Sequence, residues 1–178
     1  AFKKLVGTIT AKSLNILGAQ IYLKKDGIVI VTLQVEASTK AGAEDLEIWK
    51  DIKNSLSQLL KGETSLQKML KSRIRYAGVQ KKMAMVPRVH VERTAGNPFT
   101  VIRVEARDHI GMLYKVSAVF ADFGIRIHRA KVSTQGDRAI DVFYVSLRNP
   151  NFDLNKVIRS FKENMIQTLL IEKLEDVR

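Results

Sequence analysis

One order of secondary-structure patterns occurs twice in this chain, which restricts the folds it can adopt. Each copy consists of a helical pattern, a strand pattern, a tight-turn signal and a second strand pattern. The first copy comprises residues 2–11, 14–23, Asp26-Gly27 and 28–35, and the second comprises residues 112–123, 125–134, Gly136-Asp137 and 138–146. A shift of 111 positions superposes the copies without a gap. The sequence therefore predicts a duplicated structural unit.

The two copies also share an irregularity. The alternation of apolar and polar residues slips between Ile16 and Ala19 in the first copy, and between Ile127 and Ala130 in the second. An extra residue in a strand changes the face on which the following side chains lie, so the slip predicts a β-bulge at the same place in both copies.

The second copy is preceded by two further strand patterns. Thr100–Arg107 alternates apolar and polar residues, and Arg88–Arg93 is expected to form a hairpin with it. No convincing strand follows the last helical pattern, so Arg88–Arg93 is expected to occupy the place of a final strand. In the first copy, Ala1 corresponds to Met112. We expect its opening strand to precede Ala1 in a longer protein and its sheet to have an unpaired edge.

Three more helices are predicted outside the repeated unit. A helix over residues 46–60 has Asp45 as a possible N-cap and Gly62 at its end, and Trp49 is expected in the core because it shares the helix's apolar face. A short helix over residues 65–73 leads into a connector, and Asp153 is expected to cap a final helix.

The positive charge is concentrated in one part of the chain. The net charge is +12, and residues 61–93 contain nine Lys or Arg against two acids. This stretch suits either nucleic acid, an acidic protein surface or a solvated connector. Only Tyr76 could supply a stacking aromatic among the basic residues, so nucleic acid is not the expected partner. The absence of cysteine and of long apolar runs favours a cytoplasmic protein without a membrane span.

The turn between Arg107 and Gly111 is the best candidate for a functional site. Gly111 allows the backbone to approach a ligand closely, and the N–H groups of Gly111, Met112 and Leu113 could hold a carboxylate at the start of a helix. Asp108 either caps that helix or binds an amino group.

His109 and His128 could each contact or sense the ligand; otherwise both are surface or structural residues. No phosphate-binding loop, catalytic carboxylate pair or metal-ligand spacing is present, so this stretch is expected to be non-catalytic.

Several motifs of the second copy resemble a known family. They are Pro87-Arg88-Val89-His90-Val91, the run from Phe99 to Asp108, Gly111-Met112-Leu113-Tyr114 and the run from Ala139 to Val145. The pattern resembles tandem ACT domains, and more closely the carboxyl-terminal end of bifunctional PII uridylyltransferase/uridylyl-removing enzymes. The resemblance implies an α+β fold of ferredoxin-like βαββαβ units, with antiparallel sheets covered by helices on one face. It divides the chain into a truncated first domain (1–62), a basic connector (63–86) and a second domain (87–178).

The resemblance also implies a function. Such regions sense glutamine or another small amino acid, so the chain would respond to L-glutamine while upstream catalytic domains, which require Mg and UTP, modify the PII signalling protein. No cofactor is expected in this stretch, and pairing of ACT domains allows a homodimer. The implied ligand-binding residues are Asp108, His109, Gly111, Met112 and Leu113, faced by Asn15, Ile16 and Leu17 or by Ile127 and His128.

The family's Arg-Pro between Asp and Gly is replaced here by His109-Ile110. Two alternatives remain at this point: a free-standing amino-acid-binding regulator, or a basic module that docks an acidic protein or nucleic acid.

Overall fold

The fold combines six strands and five helices. The computed structural model describes residues 2–37, 46–74, 85–93, 96, 98–147 and 154–170. The strands are β1 (Leu14–Leu23), β2 (Val29–Ala37), β3 (Arg88–Arg93), β4 (Thr100–Arg107), β5 (Ile125–Gln135) and β6 (Arg138–Leu147). The helices are α1 (Phe2–Ala11), α2 (Leu46–Lys61), α3 (Leu66–Ile74), α4 (Met112–Asp122) and α5 (Leu154–Leu170). The predicted caps Asp45 and Asp153 and the connector over 75–84 lie outside the described residues.

All six strands belong to one antiparallel sheet with the order β2-β1-β5-β6-β4-β3. The two copies meet where Gly18–Tyr22 of β1 pairs with Arg129–Ser133 of β5. β3 pairs with β4 at one end of the sheet, which confirms that the strand before the second unit takes the outermost place.

β2 is the other edge of the sheet. Ile28, just before this strand, and Ile30, within it, are 55% and 50% exposed. In the described structure β2 is therefore the unpaired edge that the sequence predicted, and it carries exposed apolar side chains.

The helices pack on one face of the sheet, as the α+β class predicts. Alternate side chains of the strands point into this layer, so β6 buries Ala139, Phe143 and Val145 while their neighbours remain partly exposed. α1 contacts α4 across the boundary between the copies, and α5 packs on α4. Phe120, Phe143 and Phe161 meet in the centre of the second copy, where Phe161 stacks on Phe120 with ring centroids 5.5 Å apart.

Both predicted bulges are present at equivalent positions. The register of β1 shifts between Ile16 and Gly18, and that of β5 shifts between Ile127 and Arg129. The extra residues are therefore Leu17 and His128, which the shift of 111 positions relates to each other.

The gapless superposition is wrong after this point. Leu23 pairs with Val29 across five intervening residues, whereas Gln135 pairs with Arg138 across a two-residue turn. The longer first turn moves β2 by one residue relative to β6. We compared the residues that lie opposite each other in the β1–β2 and β5–β6 pairs. By this comparison Val31, which lies opposite Ile21, corresponds to Asp141 and not to Val142. A side-chain pattern alone cannot reveal this offset, because β2 has aliphatic residues on both faces.

The expectation that Trp49 lies in the core is also wrong. Its side chain is 38% exposed, and Leu46 and Leu60 of the same helix are 74% and 57% exposed. Ile52 and Leu59 are the buried residues of α2. The helix packs against α1, so only a narrow part of its apolar face is covered among the described residues.

Candidate functional site

The turn between β4 and α4 lies at the boundary between the two copies. Gly111 precedes α4 with φ of 91°, a left-handed conformation that favours glycine, and it has no side-chain cap. The backbone N–H of Asp108 donates to the Asp137 carbonyl at 2.7 Å, which ties this turn to the β5–β6 hairpin. The sequence therefore places a bend that only glycine adopts easily directly before a helix N-terminus.

Asp108 is held by the other copy rather than by the helix. Asn15 Nδ2 of β1 donates to Asp108 Oδ2 at 3.1 Å. Two roles were predicted for Asp108: capping α4 through the N–H of Gly111 or a neighbour, or binding an amino group. In the described structure α4 has Gly111 as its N-cap and no side-chain cap. The Asn15–Asp108 interaction links the ligand turn of the second copy to the first strand of the first copy.

A pocket opens where these elements meet, and the empty space in and above it, open solvent included, is about 300 Å³. It is lined by Thr10, Asn15, Ile16, Asp108, His109, Gly111, Met112, Leu113, Val132, Thr134, Ala139 and Asp141. The lining combines α1 and β1 of the first copy with the turn, α4, β5 and β6 of the second. We call it the junction pocket.

Seven of the ten residues implied by the resemblance line the junction pocket. They are Asn15, Ile16, Asp108, His109, Gly111, Met112 and Leu113. Of the two candidate facing segments, 15–17 contributes lining residues and 127–128 does not; β5 lines the pocket through Val132 and Thr134 instead. Leu17, Ile127 and His128 are not among its lining residues.

The predicted donors at the helix start need one adjustment. The N–H of Met112 donates to the His109 carbonyl at 3.0 Å, so a ligand carboxylate would depend mainly on the N–H groups of Gly111 and Leu113. His109 Nδ1 lies 3.1 Å from the Ile110 carbonyl oxygen, which fits an Nδ1–H donor. This contact orients the ring within the turn.

His128 has structural contacts elsewhere. Its Nε2 lies 2.7 Å from Ser146 Oγ, and its ring centroid is 4.7 Å from that of Phe99. Burial, with a smaller contribution from Arg126, lowers the pKa of His128.

Asp141 is the main site residue that the sequence interpretation missed. Its side chain points inward from β6, is fully buried and lines the junction pocket. Burial raises the pKa of Asp141 to about 7; the nearby Asp108 carboxylate adds to the rise, and the Ser133 backbone N–H partly opposes it. That N–H does not reach either carboxylate oxygen in normal hydrogen-bond geometry. A polar residue in the inward series Ala139, Asp141, Phe143 was the available sequence signal.

The described structure shows neither a metal site nor a membrane-spanning helix. Among the residues it covers, no group of three or more His, Asp and Glu side chains could hold a metal ion. In the same part of the chain, no helix is long and apolar enough to cross a membrane. The basic stretch over 61–93 lies partly outside the described residues, so both interpretations of it, a solvated connector and a docking surface, stay predictions.

Comparison with known proteins identifies the second unit. Residues 100–163 match the ACT domain family. These residues contain β4, α4, β5, β6 and the first part of α5, and thus include the ligand turn and Asp141. The match confirms the ACT-type fold expected from the motifs.

Relatives extend the similarity to most of the chain. The chain is 30% identical over 146 residues to the bifunctional uridylyltransferase/uridylyl-removing enzyme of Azospirillum brasilense, and 31% identical over 145 residues to that of Rhodospirillum rubrum. Each alignment covers 81% of this chain but only 16% of the relative, so the chain corresponds to a small part of those enzymes. The chain therefore carries an ACT domain at residues 100–163 and is similar over most of its length to part of bifunctional uridylyltransferase/uridylyl-removing enzymes.

Proposed function

We propose that this chain is a regulatory amino-acid-sensing region, that its ligand is L-glutamine, and that the ligand binds in the junction pocket. The observation that carries the proposal is the meeting of a left-handed glycine, a helix N-terminus and two carboxylates at one boundary. An α-amino acid has a carboxylate and an ammonium group, and this pocket offers a partner for each.

The position of the pocket suits regulation better than chemistry. Its lining comes from both copies, and the Asn15–Asp108 hydrogen bond crosses between them. A ligand that contacts both sides stabilises the arrangement in which those sides are held together. In a protein that joins this region to uridylyltransferase and uridylyl-removing domains, glutamine binding would shift the populations of catalytic states that act on the PII protein.

Calorimetry and thermal unfolding of the chain with glutamine and a panel of other amino acids test the sensing proposal. Glutamine should give measurable heat, and at about 100 times Kd it should stabilise the fold by about 2.7 kcal/mol. The Gly111→Val variant should lose this binding, because a β-branched residue is strained at a φ of 91°.

Gly27→Val is the matched control. Gly27 has a φ of 84° in the β1–β2 turn, and an added Cβ there meets no atom within 4 Å. Both variants therefore introduce similar backbone strain, but only Gly111 lines the junction pocket. Absence of binding to every amino acid by the unmodified chain, or equal loss of binding in both variants, would overturn the proposal.

A further inference from the structure

The junction pocket contains an unusual concentration of unsatisfied polar atoms. Among the described residues, four buried side-chain nitrogen or oxygen atoms have no hydrogen-bond partner. Three of them are Thr134 Oγ1 and the two carboxylate oxygens of Asp141, and both residues line this pocket. Buried polar atoms are nearly always paired in folded proteins, so this cluster requires an explanation.

The fold does not require a carboxylate at this place. The first copy builds the same strand pair with Val31 at the position equivalent to Asp141 and Leu23 at the position equivalent to Thr134. An apolar side chain thus satisfies the architecture. Burying an unpaired carboxylate destabilises a protein, so its presence in one copy points to a partner that the described part of the chain does not supply.

The charges around the pocket show what that partner must be. Asp108 and Asp141 contribute two carboxylates, while His109 is the one residue that can carry a positive charge among the described residues of the lining. One oxygen of Asp108 already accepts the Asn15 amide. The pocket is therefore poor in positive charge and rich in acceptors, which suits a ligand group with several N–H donors and a positive charge.

We propose that Asp141, assisted by the Thr134 hydroxyl, binds the ammonium group of the amino-acid ligand; this assignment rests on the function proposed above. The ligand's carboxylate then lies at the start of α4, near Gly111 and Leu113, and its ammonium group lies against the sheet. The site requires both groups of an α-amino acid. A carboxylic acid without the amine leaves the Asp141 oxygens unpaired.

Binding of an ammonium group at Asp141 should release protons, and this release can be measured. The pKa of Asp141 is raised to about 7 by burial, so near neutral pH part of the protein holds this carboxyl protonated. A bound ammonium group favours the charged form, and binding therefore releases protons. Titratable groups that line the pocket with Asp141 are Asp108 and His109 from the turn, while α1, β1 and β5 contribute only Thr10, Asn15, Ile16, Val132 and Thr134.

The test compares glutamine with glutaramic acid, which is glutamine without its α-amino group. Calorimetry is performed at about pH 7 in phosphate and in Tris, two buffers with different heats of ionisation, on the unmodified chain and on Asp141→Asn. The unmodified chain should bind glutamine at least about tenfold more tightly than glutaramic acid, the difference expected for loss of a charge-assisted hydrogen bond. Its heat of glutamine binding should differ between the buffers.

Asp141→Asn should lose both properties. Glutamine affinity should fall about tenfold or more, the preference over glutaramic acid should shrink to less than about threefold, and the dependence of heat on buffer should disappear. Asp122→Asn, at the exposed end of α4, is the matched control and should behave like the unmodified chain. If Asp141→Asn does not fold, the proposed ammonium site is tested instead by Thr134→Val and by the comparison of the two ligands on the unmodified chain.

The outcomes separate the two proposals. If the unmodified chain binds no amino acid, both the sensing function and the Asp141 assignment are overturned. If it binds glutamine, but glutaramic acid binds equally well and Asp141→Asn retains full affinity, only the Asp141 assignment is overturned.

Discussion

The amide of Asn15 donates to the carboxylate of Asp108 at 3.1 Å, although the two residues are 93 positions apart. This interaction joins the first strand of one copy to the ligand turn of the other. It fixes one carboxylate oxygen of Asp108 at the edge of the junction pocket.

Replacing Asn15 should therefore weaken both ligand binding and the fold. Asn15→Ala removes the amide that orients Asp108, and we expect glutamine affinity to fall about five- to tenfold and the free energy of unfolding to fall by about 1 kcal/mol. Calorimetry and urea unfolding measure the two effects. Asn54→Ala, on the exposed side of α2, is the control and should change neither quantity. Unchanged affinity in Asn15→Ala would show that the Asp108 orientation does not matter for binding.

Asp141 should make the stability of the chain depend on pH. Its pKa is about 7 in the folded state against an ordinary value of 3.8, so the folded protein holds this proton more tightly than the unfolded chain does. Stability due to this group is complete below about pH 4 and decreases as the pH rises to about 7. Asp141→Asn should raise the free energy of unfolding by on the order of 3 kcal/mol at about pH 8 and change it little at about pH 4.

Urea unfolding of both proteins at the two pH values checks this expectation. Taking the difference between variant and parent removes the contributions of other titrating groups. An equal effect of the substitution at both pH values would contradict the raised pKa.

The ion pair between Glu105 and Arg138 should contribute in the opposite pH direction. The Arg138 hydrogen bond holds the pKa of Glu105 below its usual range, although burial of Glu105 opposes this. The stabilisation is present above the ordinary pKa and is lost as the pH falls through the lowered one. Arg138→Met should cost less than about 1 kcal/mol at about pH 7, because the arginine is partly exposed, and this cost should vanish at about pH 2.

Urea unfolding at the two pH values measures the cost. Lys24→Met serves as the comparison, since Lys24 and Asp26 are both half-exposed and their ion pair should contribute close to nothing. A cost for Arg138→Met that persists at acid pH would assign its effect to packing.

Phe161 should anchor α5 to the rest of the second copy. Its ring is 1% exposed, stacks on Phe120 and meets Phe123 edge-on with centroids 5.7 Å apart. Phe161→Ala should lower the free energy of unfolding by about 3–5 kcal/mol, because truncation leaves a cavity. Leu60→Ala, at a position that is 57% exposed, should cost less than about 0.5 kcal/mol. Chemical denaturation measures both, and equal costs would contradict the described packing.

Local patterns predicted much of the fold because the strands and helices of this chain are strongly periodic. β4 and β6 have a clear alternation, and the shared slip located each bulge to within two residues. The patterns could not reveal the one-residue offset of β2, since strand register depends on the length of a turn as well as on side-chain alternation. They also placed Trp49 in the core, because periodicity shows which face of a helix is apolar but not how much of it is covered.

The site was predictable in part for a similar reason. Gly111 and Asp108 carry a local signal, a turn between a strand and a helix. Asp141 and Thr134 lie on the β5–β6 hairpin, which comes to lie beside the turn between β4 and α4 only in the folded sheet. Their signal is a polar residue at an inward position, which gains meaning only when the facing residues are known.

The pairing of β1 with β5 has a consequence for how a signal can leave this region. Five consecutive residue pairs join the copies directly beside the pocket. The two copies therefore cannot separate around the ligand without breaking the backbone hydrogen bonds between β1 and β5. A ligand bound beside the β1–β5 pairing changes the rigidity of the sheet rather than its curvature. The signal would then be a change in the rigidity of the sheet. Hydrogen exchange of the β1 and β5 backbone amides should detect this change first.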